Sequence, residues 1–294
     1  MDIDGGARFD LLVWLASPRP GEEGWTGRIF DDVESACVQV GLQIERYQAP
    51  SKAMLLDALD RIAGLARQGR KPFLHLDMHG SEQEGIEIAA SNEHVPWSLV
   101  VHKLRAINEA TGNNLCVVAA TCEAFHAIKL VGMTQAVPFF LLVAPSIKVK
   151  SGFLQDHIAP FYRQMLETRD IIGSIKANLE PDMRVFHCGA ALARAMAQYI
   201  SVHCKGKTGE ERRERLLSEV LLAGRPRTPS TLGEIRKSIK AGVKPDQAML
   251  DRFADKFLVG KPCGFSFEQL NTFVEALIEA NVTRRRISER LARR

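Results

Sequence analysis

Short apolar runs alternate with segments of helical spacing along the first two thirds of this chain, and that alternation limits the folds open to it. Phe9-Asp10-Leu11-Leu12-Val13-Trp14-Leu15-Ala16 is a compact apolar run closed by Ser17-Pro18-Arg19-Pro20-Gly21. Leu42 to Tyr47 alternates like a strand, and Pro72 to Met78, Asn114 to Ala120 and Pro138 to Val143 are further buried-strand patterns. A strand covered on both faces loses the in–out alternation and reads as continuous apolar sequence. Between the runs, residues 26–41 place Ile29, Val33, Cys37 and Val40 on one helical face. Residues 52–68 do the same with Leu55, Leu59 and Ile62, and Pro96 opens a helix over Trp97 to Ala110. This order predicts an α/β fold with a mainly parallel sheet covered by helices on both faces. Gly85 to Ala89 reads as half of a small hairpin, 123–131 as a short helix, and 152–167 and 186–203 as helices.

The pattern changes near residue 205. Beyond it no strand signal is convincing, while Thr231-x-x-Glu234 and Ser266-x-x-Gln269 resemble capping boxes and Pro245-Asp246 suits a helix start. Charge changes sign at the same place. Residues 205–294 carry 20 basic and 12 acidic side chains, net +8, against +4 for the whole chain, so the first 204 residues are net −4. Two domains are expected, 1–205 with the sheet and 206–294 as an all-helical C-terminal extension.

The longest apolar run, Val137 to Ala144, is far short of the ~20 residues of a membrane helix. The acidic start Met1-Asp2-Ile3-Asp4 is not followed by a secretion-type apolar stretch. Six scattered cysteines in a chain able to build its own core are expected to be reduced thiols of a cytoplasmic protein. The arginines at 284–286, 290, 293 and 294 form a basic terminus without interleaved aromatics, which argues against base stacking and for a solvated helix end.

In an open parallel sheet, reacting groups gather at the carboxyl ends of strands. The run FLHLDM delivers His79 followed by Gly80, and NLCVVAAT delivers Cys122. A right-handed crossover between them sets the two strands side by side. A thiolate is a strong nucleophile, and an adjacent imidazole can protonate a departing amine. The amides of Gly80 and Cys122 can face a developing oxyanion. Asp77 and Glu123 flank this pair and could orient His79 or attract a basic substrate group, whereas Lys148 and Lys150, after the next strand, could attract an acidic one. His75 and His79 have His-x-x-x-His spacing, but in a strand they lie ~13 Å apart, so two-point zinc chelation fails and no metal is expected. Gly206-Lys207-Thr208 lacks the glycine of a phosphate loop at position 201, which is Ser201.

Taken together, LHLDMHGSEQEGIEIA, VPWSLVVHKLRAIN, NNLCVVAATCEA and VPFFLLVAPS resemble caspase-like cysteine peptidases, most of all the bacterial CHAT-type branch. The resemblance covers roughly residues 9–205. It implies a caspase-like sheet, His79 as general acid/base, Cys122 as nucleophile, Gly80 as oxyanion donor and no cofactor. It further implies a protein substrate, an activating protein partner, and regulated proteolysis such as bacterial antiviral defence or cell suicide. Ala120-Thr121-Cys122-Glu123-Ala124 departs from the caspase pentapeptide, so cleavage after Asp is not carried over. The alternative is a non-catalytic caspase-fold protein that docks partners through its basic helical tail.

Overall fold

A computed structural model describes residues 7–224, 228–276 and 278–279. The basic cluster at 284–294 lies outside the described residues. The chain divides into two compact units. One holds residues up to Gly189 together with Lys256–Lys261, and the other holds Ala190–Asp255 with the residues from Pro262 onward.

The first unit carries the sheet. Its elements are β1 (Leu11–Ser17), α1 (Glu23–Gln39), β2 (Gln43–Gln48), α2 (Lys52–Arg67), β3 (Pro72–Ser81), β4 (Gly85–Ile88), β5 (Glu93–Val95) and α3 (Trp97–Ala110). There follow β6 (Cys116–Ala119), a 3-10 helix over Ala124–Leu130, β7 (Leu141–Ala144), α4 (Ser151–Thr168), α5 (Ile171–Asn178) and β8 (Arg184–His187). The strand order is β2-β1-β3-β6-β7-β8. The first four pairings are parallel and β8 runs antiparallel to β7. The sheet is thus mixed but mainly parallel, as the alternation predicts.

Pleating sorts the strand residues onto two faces. Leu11, Val13, Leu15, Leu74 and Leu76 pack with Leu55, Leu59 and Ile62 of α2 and with Val100, Leu104 and Ile107 of α3. The alternate residues Trp14, Phe73 and His75 meet α1 through Phe30 and α4 through Tyr162. Helices therefore cover both faces. His75 belongs to this second core. It stacks on Trp14 with ring centres 3.6 Å apart, and its Nδ1 lies 2.9 Å from the Tyr162 hydroxyl. Complete burial disfavours the imidazolium and pushes the His75 pKa down to about 3.

Several boundaries differ from the sequence expectations. β3 does not stop at His79-Gly80. It continues through Ser81, where His79, Gly80 and Ser81 pair antiparallel with Glu87, Ile86 and Gly85. The strand expected from Pro138, β7, starts at Leu141, since proline has no amide to give a ladder. Residues 184–187 form an edge strand, so α6 begins only at Cys188.

The second unit contains the rest of α6 (Cys188–His203), then α7 (Gly206–Leu222), α8 (Pro229–Gly242), α9 (Gln247–Phe257) as far as Asp255, and helical turns over 267–276. No strand follows His187 among the described residues. α8 starts one turn before the expected Thr231: Thr228 Oγ1 accepts from the Thr231 amide, with Pro229 in the first turn. The second capping box forms as its sequence suggests. The Gln269 amide donates to Ser266 Oγ and the Ser266 amide to Gln269 Oε1.

Candidate active site

The strand order reverses direction around β1 and β3: the chain leaves β1 for β2 on one side and returns to β3 on the other. Loops leaving two such strands part from one another and open a crevice at their carboxyl ends. A small cleft of about 50 Å3 lies there, lined by Pro18, Glu22, Trp25, Thr26, Asp77, Met78, His79, Ala120, Cys122, Val149, Ser151 and Leu154. It draws residues from the ends of β1, β3 and β6 and from the start of α4. The structure thus brings His79, Cys122 and Asp77 to one cavity.

Parallel register explains the meeting of His79 and Cys122. Phe73 pairs with Cys116 and Leu76 with Ala119. The Ala120 amide extends this by donating to Leu76 O at 2.8 Å. Continued at the same offset, the count sets His79 level with Cys122. Gly80 keeps the two chains close beyond the ladder. A Cβ there would lie 2.8 Å from Thr121 Cγ2, 2.9 Å from Gly85 O and 3.4 Å from Cys122 O. Only a residue without a side chain lets the β3 extension run against Thr121-Cys122 in this way.

His79 is oriented by neither Asp77 nor Glu123. Its Nε2 lies 2.6 Å from Glu22 Oε2. The same oxygen accepts from the Arg19 amide at 3.0 Å, which fixes the carboxylate at the start of α1. With the Nε2 proton donated to Glu22, Nδ1 is left as the basic nitrogen of the neutral ring. Sequence reasoning missed Glu22. The available signal was its position just past β1, beside the strand that carries His79.

Asp77 is buried, 6% exposed, and its Oδ2 has no hydrogen-bond partner among the described residues. Burial pushes its pKa up to about 6, against smaller opposing effects from the nearby Trp14 indole, Arg46 and His79. The Trp14 Nε1 also lacks a partner of good hydrogen-bond geometry, so its influence on Asp77 is a close approach rather than a formed bond.

Glu123 is held away from His79. Its Oε2 accepts from the Glu82 amide at 2.9 Å, which ties the turn after Cys122 to the tip of the β3–β4 hairpin. Glu123 has φ 58°, a left-handed conformation that non-glycine residues adopt at a cost and that recurs at functional turns. Lys148 and Lys150 are exposed and do not line the cleft. Cys122 is half-buried, its Sγ 4.0 Å from Val149 O.

Burial pushes Cys37 up to about 12 and Cys188 up to about 11, and raises Cys116 further. All six cysteines are free. Among the described residues no helix is long and apolar enough to cross a membrane. No protein-family model matches the sequence, and no curated protein is significantly similar to it.

Proposed function

We propose that the chain is a cysteine endopeptidase that cleaves a protein substrate through Cys122 and His79. The observation that carries this reading is the shared cleft: a half-buried thiol and an imidazole held by a carboxylate, at the ends of the adjacent strands β3 and β6, next to the place where strand order reverses. The resemblance of the segments around His79 and Cys122 to caspase-like peptidases supports the same chemistry.

In this reading Cys122 gives its thiol proton to Nδ1 of His79, and the thiolate so formed attacks the carbonyl carbon of the scissile bond. A C–S bond forms and the carbonyl π electrons move onto oxygen, which in this reading the amides of Gly80 and Cys122 stabilise. As the tetrahedral adduct collapses, the C–N bond breaks and His79 gives its proton to the amine. Water then attacks the thioester while His79 takes one of its protons, and the acid leaves as Cys122 is regenerated. Glu22 holds the ring through its Nε2 proton, so that Nδ1 is the nitrogen that takes up and gives back protons. Cytoplasmic location, activation by a protein partner and a role in regulated proteolysis, such as bacterial defence or cell suicide, belong to this proposal.

A peptidyl acyloxymethyl ketone library tests it. Covalent labelling at Cys122, abolished in Cys122→Ala and strongly slowed in His79→Ala, is the expected result. Equal labelling of a His79→Ala variant that folds normally would remove the support for a dyad and favour the non-catalytic interaction protein.

A further inference from the structure

Resting on the reading of Cys122 as the reacting group, we propose that the side chain received by this cleft is cationic, an ammonium or guanidinium group, and that Asp77 is its partner. The cleft lining contains two carboxylates, Glu22 and Asp77, and neither lysine nor arginine. Glu22 is already engaged by His79 and the Arg19 amide. Asp77 is not: its Oδ2 is buried and lacks a partner.

The charged groups around Asp77 do not supply one. The Arg19 guanidinium is bound to Glu87 through two bonds, at 3.0 and 2.5 Å. Arg46 lies over the Phe30 ring, 4.5 Å from its centre. His79 faces Glu22. An unpaired carboxylate out of water is costly unless a cation or hydrogen bonds compensate, and burial keeps the pKa of this one raised against the smaller opposing effects of the Trp14 indole, Arg46 and His79. A ligand cation would supply a charge-assisted bond in the place where one is missing. The remaining walls suit the rest of such a side chain, since Trp25, Val149 and Leu154 offer apolar surface to methylene groups. The exposed Lys148 and Lys150 stand outside the lining and leave the acidic character of the cavity intact.

The test does not depend on knowing the substrate. The full chain is reacted separately with aminoethyl methanethiosulfonate, cationic, and sulfonatoethyl methanethiosulfonate, anionic. In each case a thiolate attacks the sulfenyl sulfur, an S–S bond forms and methanesulfinate leaves. Modification of Cys122 is followed by peptide mass, and each rate is divided by that reagent's rate with free cysteine. The expected result is a preference for the cationic reagent of about tenfold or more, the size of a nearby charge at partly buried dielectric. That preference should fall severalfold in Asp77→Asn, with Asp77→Ser as a second neutral variant should the first not fold. A ratio unchanged by either substitution, or a preference for the anionic reagent in the unaltered protein, overturns the proposal. Cys122 inert to both reagents overturns the reading on which the proposal rests, and the two failures are thereby distinct.

Discussion

Glu22 Oε2 and His79 Nε2 lie 2.6 Å apart although 57 residues separate them, and the carboxylate is held in turn by the Arg19 amide. A general acid or base is effective only when its proton is on the right nitrogen and its ring in the right plane. Glu22→Gln keeps the shape of the side chain but replaces a charged acceptor with a neutral amide. In the proposed mechanism turnover should fall about 10- to 100-fold with little change in KM, less than the roughly 10²- to 10⁴-fold that an acid–base group itself contributes. Steady-state kinetics with circular dichroism as a fold control checks this.

Gly80→Ala should destabilise the sheet unit by roughly 1–3 kcal/mol, the usual cost of forcing a methyl into a packed site. The new Cβ meets Thr121 Cγ2 at 2.8 Å and Gly85 O at 2.9 Å. Thr121→Ser removes the first of these contacts and should restore part of the loss, whereas the backbone oxygen remains. Urea unfolding of the single and double variants measures both effects.

Asp77 and His75 give opposite pH dependences. The Asp77 carboxyl has a folded pKa of about 6 against an ordinary 3.8, so the folded state holds the extra proton between these values. Its burial therefore costs nothing below pH 4 and weighs fully above pH 6. Asp77→Asn should be more stable than the unaltered protein at pH 8, by roughly 1–3 kcal/mol, with the difference fading towards pH 4.

His75 has a folded pKa of about 3 against 6.5, so the unfolded chain takes up the extra proton. Stability is full above pH 6.5 and drains away as pH falls towards 3. His75→Phe forfeits the contact with the Tyr162 hydroxyl but should flatten the acid limb between pH 6.5 and 4. Thermal unfolding across this range reads the slope directly.

Thiol labelling should follow burial. Cys122 opens onto the cleft, and Cys204 and Cys263 are half-exposed, whereas Cys37, Cys116 and Cys188 are buried. Brief iodoacetamide treatment at pH 8 should mark Cys122, Cys204 and Cys263 and spare the buried three until denaturant is added. Peptide mapping by mass spectrometry checks it.

The strands buried on both faces were the legible part of the fold, because burial on both faces writes an apolar run. β8 escaped notice: Arg184-Val185-Phe186-His187 is four residues long, half-buried and on the sheet edge, so it carries neither a run nor a clear alternation. The extension of β3 was hidden for a different reason. His79-Gly80-Ser81 has poor strand propensity and is held by pairing to β4, a tertiary contact. At the cleft, His79, Cys122 and Asp77 could be placed together because strand ends and crossover length are local properties of the chain. Glu22 could not, since its role depends on β1 lying beside β3. Nor could the fate of Glu123 and the two lysines be read: one acidic side chain turns to the Glu82 amide, and Lys148 and Lys150 face solvent.

The return of Lys256–Lys261 to the sheet unit bears on how the protein is made. Phe257 is fully buried there, its carbonyl receives the Val137 amide at 2.9 Å, and Lys261 stands 4.2 Å from the centre of the Phe140 ring. These contacts come from chain translated more than a hundred residues after Val137 and Phe140. On the ribosome, the sheet unit must wait with an apolar site uncovered until this late segment emerges. A gene fragment ending near codon 205 encodes every residue of the cleft yet leaves that site without its plug.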